Sequence, residues 1–228
     1  EVLEIHDAEG SEAPKKVGTF PVGQVYELEV APKGERVAII NHRKQVLVLD
    51  LATEEVTVIE ENPYGRPMDL AWSPDGTWLA YAANFSRQTV GLKLWRSGEE
   101  PVQITDPVLY DIAPSFDPGG KYLYFLSYRV FNPVYDNLRF DLGFYQGVKP
   151  CLITLQADTP SPFRPEPRPL VEGGKGQSEK AQDTDEEASE KQSEEEQSIR
   201  IDLDEISERV LMFPVPEARY REIEGIHG

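Results

Sequence analysis

The residues of this chain that could do chemistry on their own are three histidines, one cysteine and a scatter of serines, and their spacing argues against most of it. His6, His42 and His227 stand at no metal-ligand spacing from one another, from a cysteine or from a carboxylate. His42 falls in an expected hairpin turn, and His6 at the end of an apolar strand. No Gly-x-Ser-x-Gly elbow is present to hold a hydrolase serine on a strained turn. Ser86, Ser97, Ser115, Ser127, Ser161 and Ser207 have no histidine or lysine near them in sequence to act as a base. The single cysteine, Cys151, excludes an internal disulfide framework and any all-thiolate metal site, and its place between Pro150 and an apolar run predicts a half-buried thiol at a strand edge. The glycines of Glu172–Gly176 open a polar stretch and do not follow a buried strand, so they are not read as a phosphate loop. Asp183 with Asp185, and Asp202 with Asp204, lack the central glycine and distal glutamate of a calcium loop. No catalytic residue, metal site or cofactor is expected.

One segment differs. Residues 128–146 are rich in aromatics, arginine and Asn/Asp, with no clean alternation. A hairpin needs a loop of only about 2–5 residues, so this length serves something else. Aromatic and arginine side chains on a loop above a rigid sheet suit a binding surface. Arg129, Asn132, Tyr135 and Asp136 are the candidates for a substrate-channel or docking surface. The alternative is that Phe131, Tyr135, Phe140 and Phe144 pack an enlarged structural unit, with Arg129 and Asp136 forming a local ion pair.

The charge balance narrows the partners. The chain has 228 residues, with 41 acidic and 23 basic, a net charge of −18 and a pI near 4.6. Nucleic acids and anionic membranes both require a cationic surface, so neither is expected as a partner. No apolar run approaches the roughly 18–20 residues of a membrane span. The lone cysteine and the polar start suit a cytoplasmic setting. Residues 172–198 hold ten acidic and three basic side chains and no hydrophobic residue except Ala181 and Ala188. Such a stretch buries too little apolar surface to offset the entropy of ordering it, and it predicts a disordered acidic insertion.

The remainder is punctuated β-structure with an internal repeat. Val25–Gly34, Pro67–Gly76 and Asp111–Gly120 are each a strand running into a Pro-containing turn that ends at glycine, and they lead into second apolar strands over Arg36–Ile40, Trp78–Ala82 and Tyr122–Leu126. Proline presets φ early in such a turn and glycine supplies φ > 0 near its end. The turn glycines are 42 and 44 residues apart, and two further strands fit in each interval. Four antiparallel strands per repeat of this length is the size of a β-propeller blade. The expected fold class is therefore all-β, in partial propeller form. Residues 1–24 end a preceding blade, 25–66 and 67–110 are blades, 111–171 is an expanded blade, and 199–228 continues the propeller. A propeller closes with about four blades or more, so the expectation is a fragment of a larger ring. A self-contained sandwich of about twelve strands is the rival. The apolar inner-strand residues Leu28, Val30, Leu70, Trp72, Ile112 and Phe116 are expected to pack between blades, with the directions of Glu27, Glu29, Asp69 and Asp111 left open.

The run from Leu109 to Arg129, then Phe131-Asn-Pro-Val-Tyr-Asp136, Phe140–Phe144 and Ile201–Pro216, resembles the second propeller of tricorn-type serine peptidases. The resemblance covers nearly the whole chain outside the acidic segment. It implies a β-propeller portion of a cytoplasmic peptidase that degrades short peptides, acting as sieve, channel and scaffold. The implied partners are peptides, the remaining blades, the peptidase domains of the same chain and further copies in a homo-oligomer. The family's catalytic residues belong to a later region, and none maps onto this sequence. The alternative is a non-catalytic interaction propeller of the translocation-system or prolyl-oligopeptidase-cap type.

Overall fold

The structure, a computed structural model, describes residues 2–5, 13, 15–130, 134–136, 141–143, 147–163 and 198–226, with backbone alone at 2, 3, 5, 15–17, 134–136 and 141–143. Strands β1 (Val2–Ile5) and β2 (Lys15–Thr19) form an antiparallel pair. The first four-stranded sheet runs β3 (Val25–Val30), β4 (Arg36–Asn41), β5 (Gln45–Asp50), β6 (Glu55–Glu61). The second runs β7 (Met68–Trp72), β8 (Trp78–Asn84), β9 (Val90–Arg96), β10 (Val102–Gln103). After β11 (Asp111–Phe116) and β12 (Tyr122–Ser127) the chain makes a small separate pair, β13 (Val134–Asp136) with β14 (Asp141–Gly143). It returns as β15 (Lys149–Thr154), and β16 (Val210–Met212) closes the third sheet in the order β11-β12-β15-β16. All pairings within the sheets are antiparallel. Among the described residues there is one 3-10 turn, Ile206–Arg209, and no α-helix.

The repeat seen in the sequence is a repeat of turns. Gly34, Gly76 and Gly120 all have positive φ, at 84°, 70° and 67°. The sheets then stack face to face. Side chains alternate along a strand, so a strand covered on both faces reads as a continuous apolar run. In β8, Leu79, Tyr81 and Ala83 pack on the first sheet through Ala38, Ile40, Val46 and Val48. Trp78, Ala80 and Ala82 of the same strand pack on the third sheet through Leu123, Phe125, Cys151 and Ile153. The opposite face of the first sheet, Val37, Ile39, Leu47 and Leu49, is covered by Phe20 and Val22. The inner strands β3, β7 and β11 lie beside one another in that order.

Two expectations meet the structure differently. Among the described residues no sheet packs over Leu28 and Val30, which are 42% and 55% exposed. Leu70, Trp72 and Phe116 are buried as expected. Cys151 lies inside β15 and is fully buried against the second sheet; burial, first, pushes its thiol up to about 11 despite nearby Arg129. The acidic insertion expected over 172–198 lies outside the described residues except for Ser198, which is exposed.

Ile199, on the far side of that segment, is tied back into the fold. Its N–H donates to Asp75 Oδ2 at 2.6 Å, and its carbonyl accepts the Trp78 indole N–H at 3.0 Å. Asp75 also receives the Ser73 hydroxyl and both donors of Thr77. Burial pushes the Asp75 pKa up, but these donors outweigh it and hold the carboxyl below its usual 3.8. A depressed pKa stabilises the fold above the unfolded value, and that contribution is lost as pH falls through the folded one. Melting temperature followed from pH 5 downward should therefore fall less steeply in Asp75→Asn than in the unsubstituted chain, the gap between the two curves being constant above about the unfolded carboxylate pKa and closing below it.

Candidate functional site

A cavity of about 530 Å³ opens where the inner strands meet. Its wall includes Glu29 of β3, Asp69 and Trp72 of β7, and Ala113 and Ser115 of β11. Residues 221–224 close its far side, where a Cβ on Gly225 would stand 3.0 Å from the Phe116 carbonyl oxygen. The open directions of the inner-strand acids resolve here. Glu27 accepts the N–H groups of Asp69 and Leu70 at 3.1 and 2.5 Å. Asp69 accepts the N–H of Ala113 at 2.8 Å. Trp72 donates its indole N–H to the Glu29 carbonyl at 3.1 Å. Burial raises the Glu27 pKa, with Asp69 and Glu29 adding to the effect against its two backbone N–H donors. These acids hold the wall together.

A second cavity, about 460 Å³, lies between the first two sheets near their outer strands and includes Glu60, Tyr64, Phe85 and Lys93. Glu60 Oε2 accepts the Tyr81 hydroxyl at 2.7 Å and Lys93 Nζ at 2.8 Å, while Oε1 accepts Asn62 Nδ2 at 2.9 Å. Burial and then the Glu60 charge push the Tyr81 hydroxyl above its ordinary pKa. With each oxygen already receiving a donor, Glu60 is a structural anion and is poorly placed to serve as a base.

Of the four candidates from the sequence, only Arg129 has a described side chain. It donates to Asp111 Oδ2 at 2.8 Å and to Ser127 Oγ at 2.7 Å, and its guanidinium stands 5.6 Å from the Phe125 ring centre. The Ser127 hydroxyl in turn donates to Asp111 Oδ1. The Asp111 side chain is 1% exposed, so this charge is compensated inside the protein. Arg129 thus pins the point where the chain leaves β12. Tyr135 and Asp136 are described as backbone only, opposite Leu142 and Asp141. Asn132 lies outside the described residues. The carboxylate that accepts the Ser127 hydroxyl is itself paired with Arg129, which binds it as a structural counter-ion. Among the described residues no group of three or more His, Cys, Asp or Glu side chains converges as a metal requires, and no helix is long and apolar enough to cross a membrane.

Repeated four-stranded antiparallel sheets, stacked face to face with their first strands adjacent, make this a section of a β-propeller. The chain belongs to the family described as tricorn protease second beta propeller domain, which it matches over residues 1–228. It is 34% identical over 234 residues to tricorn protease homolog 1 of Streptomyces coelicolor, covering 96% of this chain and 21% of that protein. It is 29% identical over 216 residues to the tricorn protease homolog of Saccharolobus solfataricus, covering 95% of this chain and 18% of that protein. The crystal structure of the tricorn protease superposes over 100% of this chain and 21% of its own, with a TM-score of 0.77 at 23% identity. The chain spans about a fifth of the length of these relatives.

Sequence reasoning missed the direction of Glu27 and Asp69, although a signal existed. Both stand seven residues before a turn glycine, as Ala113 does.

Proposed function

We propose that this chain is one part of the wall of a peptide passage in a cytoplasmic, oligomeric tricorn-like serine peptidase, with the catalytic residues elsewhere in the parent polypeptide. In this reading residues 25–66 and 67–110 are blades, 1–24 ends a preceding blade, and the third blade takes 111–171 together with β16 of 199–228, the rest of which carries the ring onward. Membership of the second-propeller family along the whole chain is the observation that carries the reading. The cavity bordered by three successive inner strands supports it, because a ring of such strands surrounds a central channel. A narrow channel passes extended short peptides and excludes folded proteins.

The segment after Arg129, with Asn132, Tyr135 and Asp136, is the proposed peptide-passing or docking surface. The Arg129–Asp111 pair makes Arg129→Ala a poor probe, because stability would fall with it. Asn132→Ala in the intact parent polypeptide is the cleaner test. Turnover of longer peptides should slow more than that of dipeptide-sized substrates, at an unchanged melting temperature. Equal slowing of both, or slowing only in step with lost stability, would show the segment to be structural.

A further inference from the structure

The three inner strands share one irregularity. The pairing register slips between Val25 and Glu27, between Met68 and Ala71, and between Ile112 and Ser115. Within the last two slips, Asp69 and Ala113 take left-handed backbone conformations, with φ of 59° and 53°. For alanine that geometry is costly and persists only where the surroundings impose it. Residues 69–70 and 113–114 are skipped by their own ladders, which frees their backbone N–H groups for other acceptors. A carboxylate from the preceding sheet receives them: Glu27 takes two, from Asp69 and Leu70, and Asp69 takes one, from Ala113. The difference in number follows from the sequence, because Pro114 has no N–H to offer.

We propose that Glu27 and Asp69 are positioning residues that lock successive inner strands in register, and so fix the spacing of the passage wall. The acid at this repeat position reaches the bulge at the same position of the next sheet, so one rule serves each seam. Ala113 stands at that position in the third sheet and carries no acceptor. The next seam, where residues 221–224 border the 530 Å³ cavity, therefore lacks this clamp and is the compliant one. The link to peptide selection rests on the passage reading above; the clamp itself does not.

Amide hydrogen exchange on the intact parent polypeptide separates the two. The amides of Asp69, Leu70 and Ala113 should be protected, and those of residues 221–224 should exchange faster. Glu27→Gln leaves one acceptor oxygen facing two donors. It should accelerate exchange at 69 and 70 by about tenfold or more, the loss expected for a hydrogen bond to a charged group, without changing Ala113. Asp69→Gly tolerates the left-handed backbone and removes the acceptor, and it should accelerate Ala113 to a similar degree. Unchanged protection at 69 and 70 in both Glu27→Gln and Glu27→Ala would overturn the clamp, as would acceleration spread evenly over all three sheets. Turnover of long against short peptides by the same variants then tests the passage. A shifted ratio supports the positioning role, whereas altered exchange with an unshifted ratio leaves the clamp standing and overturns its link to peptide selection.

Discussion

Arg209→Met should lower the unfolding free energy by about 2–4 kcal/mol, from loss of several hydrogen bonds to one charged group. Arg209 ends the 3-10 turn before β16, and its guanidinium gathers backbone carbonyls from two separate segments. Nε donates to Thr154 at 3.0 Å, Nη1 to Asp204 at 2.7 Å, and Nη2 to Leu155 and Asp202. The first segment is the end of β15, and the second is residues 202–204, on the return from the acidic segment. The Leu155 carbonyl also receives the Asp202 N–H at 2.9 Å, but Arg209 is the donor to the Thr154, Asp202 and Asp204 carbonyls, so its removal strips those three of it at once. Methionine retains much of the stem's apolar packing and isolates the polar loss. Lysine, a single point donor without the planar fork, should recover only part of it. Denaturant unfolding monitored by circular dichroism gives the difference, and a change below about 0.5 kcal/mol, the level of an ordinary surface substitution, would mean that the return segment is held without Arg209, by its apolar contacts and the hydrogen bonds of Ile199 and Asp202.

Gly76→Val should cost about 3 kcal/mol or more, the sum of left-handed strain and overpacking. The residue sits at φ 70°, and a Cβ there would stand 2.2 Å from the Lys33 carbonyl oxygen. Lys33 belongs to the equivalent turn of the first sheet, so the contact is between backbones and no flexible side chain can yield. Gly34 and Gly98 provide the control. Both have φ 84° with nothing within 4 Å of the added carbon, and alanine there should cost only about 1–2 kcal/mol of backbone strain. Equal losses at Gly76 and Gly34 would show that the two turns do not abut.

The strands and their grouping were legible because the information is local. Alternating apolar residues, the Pro-to-Gly turns and a period near that of a blade specify hairpins whatever lies around them. The burial of both faces of β8 accords with its residues, since the polar side-chain groups of Trp78–Ala83 are the Trp78 indole N–H and the Tyr81 hydroxyl. What was not legible depends on neighbours distant in sequence. Leu28 and Val30 look like core residues and are exposed, because exposure is decided by whether another sheet covers that side of β3. Arg129 reads in the sequence as a docking-surface residue or as a partner of Asp136, and only the return of β12 beside β11 brings Asp111 to it. The anchoring role of Arg209 depends on β15 meeting a segment more than fifty residues away. The inner-strand acids lie between these cases, since their offset from the turn glycine is visible in the sequence but the bulges that aim the opposing N–H groups are not.

We propose that this chain walls a peptide passage. Blocking the wall tests it most directly. Ser115 borders the large cavity and is partly accessible, whereas Cys151 is fully buried with its thiol pushed up to about 11, so a cysteine placed at 115 reacts selectively. In the intact parent polypeptide bearing Ser115→Cys, with other accessible cysteines removed, thiol labels of increasing size are attached and peptide turnover is measured. Turnover of longer peptides should fall stepwise with label size and recover when a disulfide-linked label is reduced, while dipeptide-sized substrates are slowed least. Turnover of long peptides that stays unchanged with the largest label in place would contradict the claim.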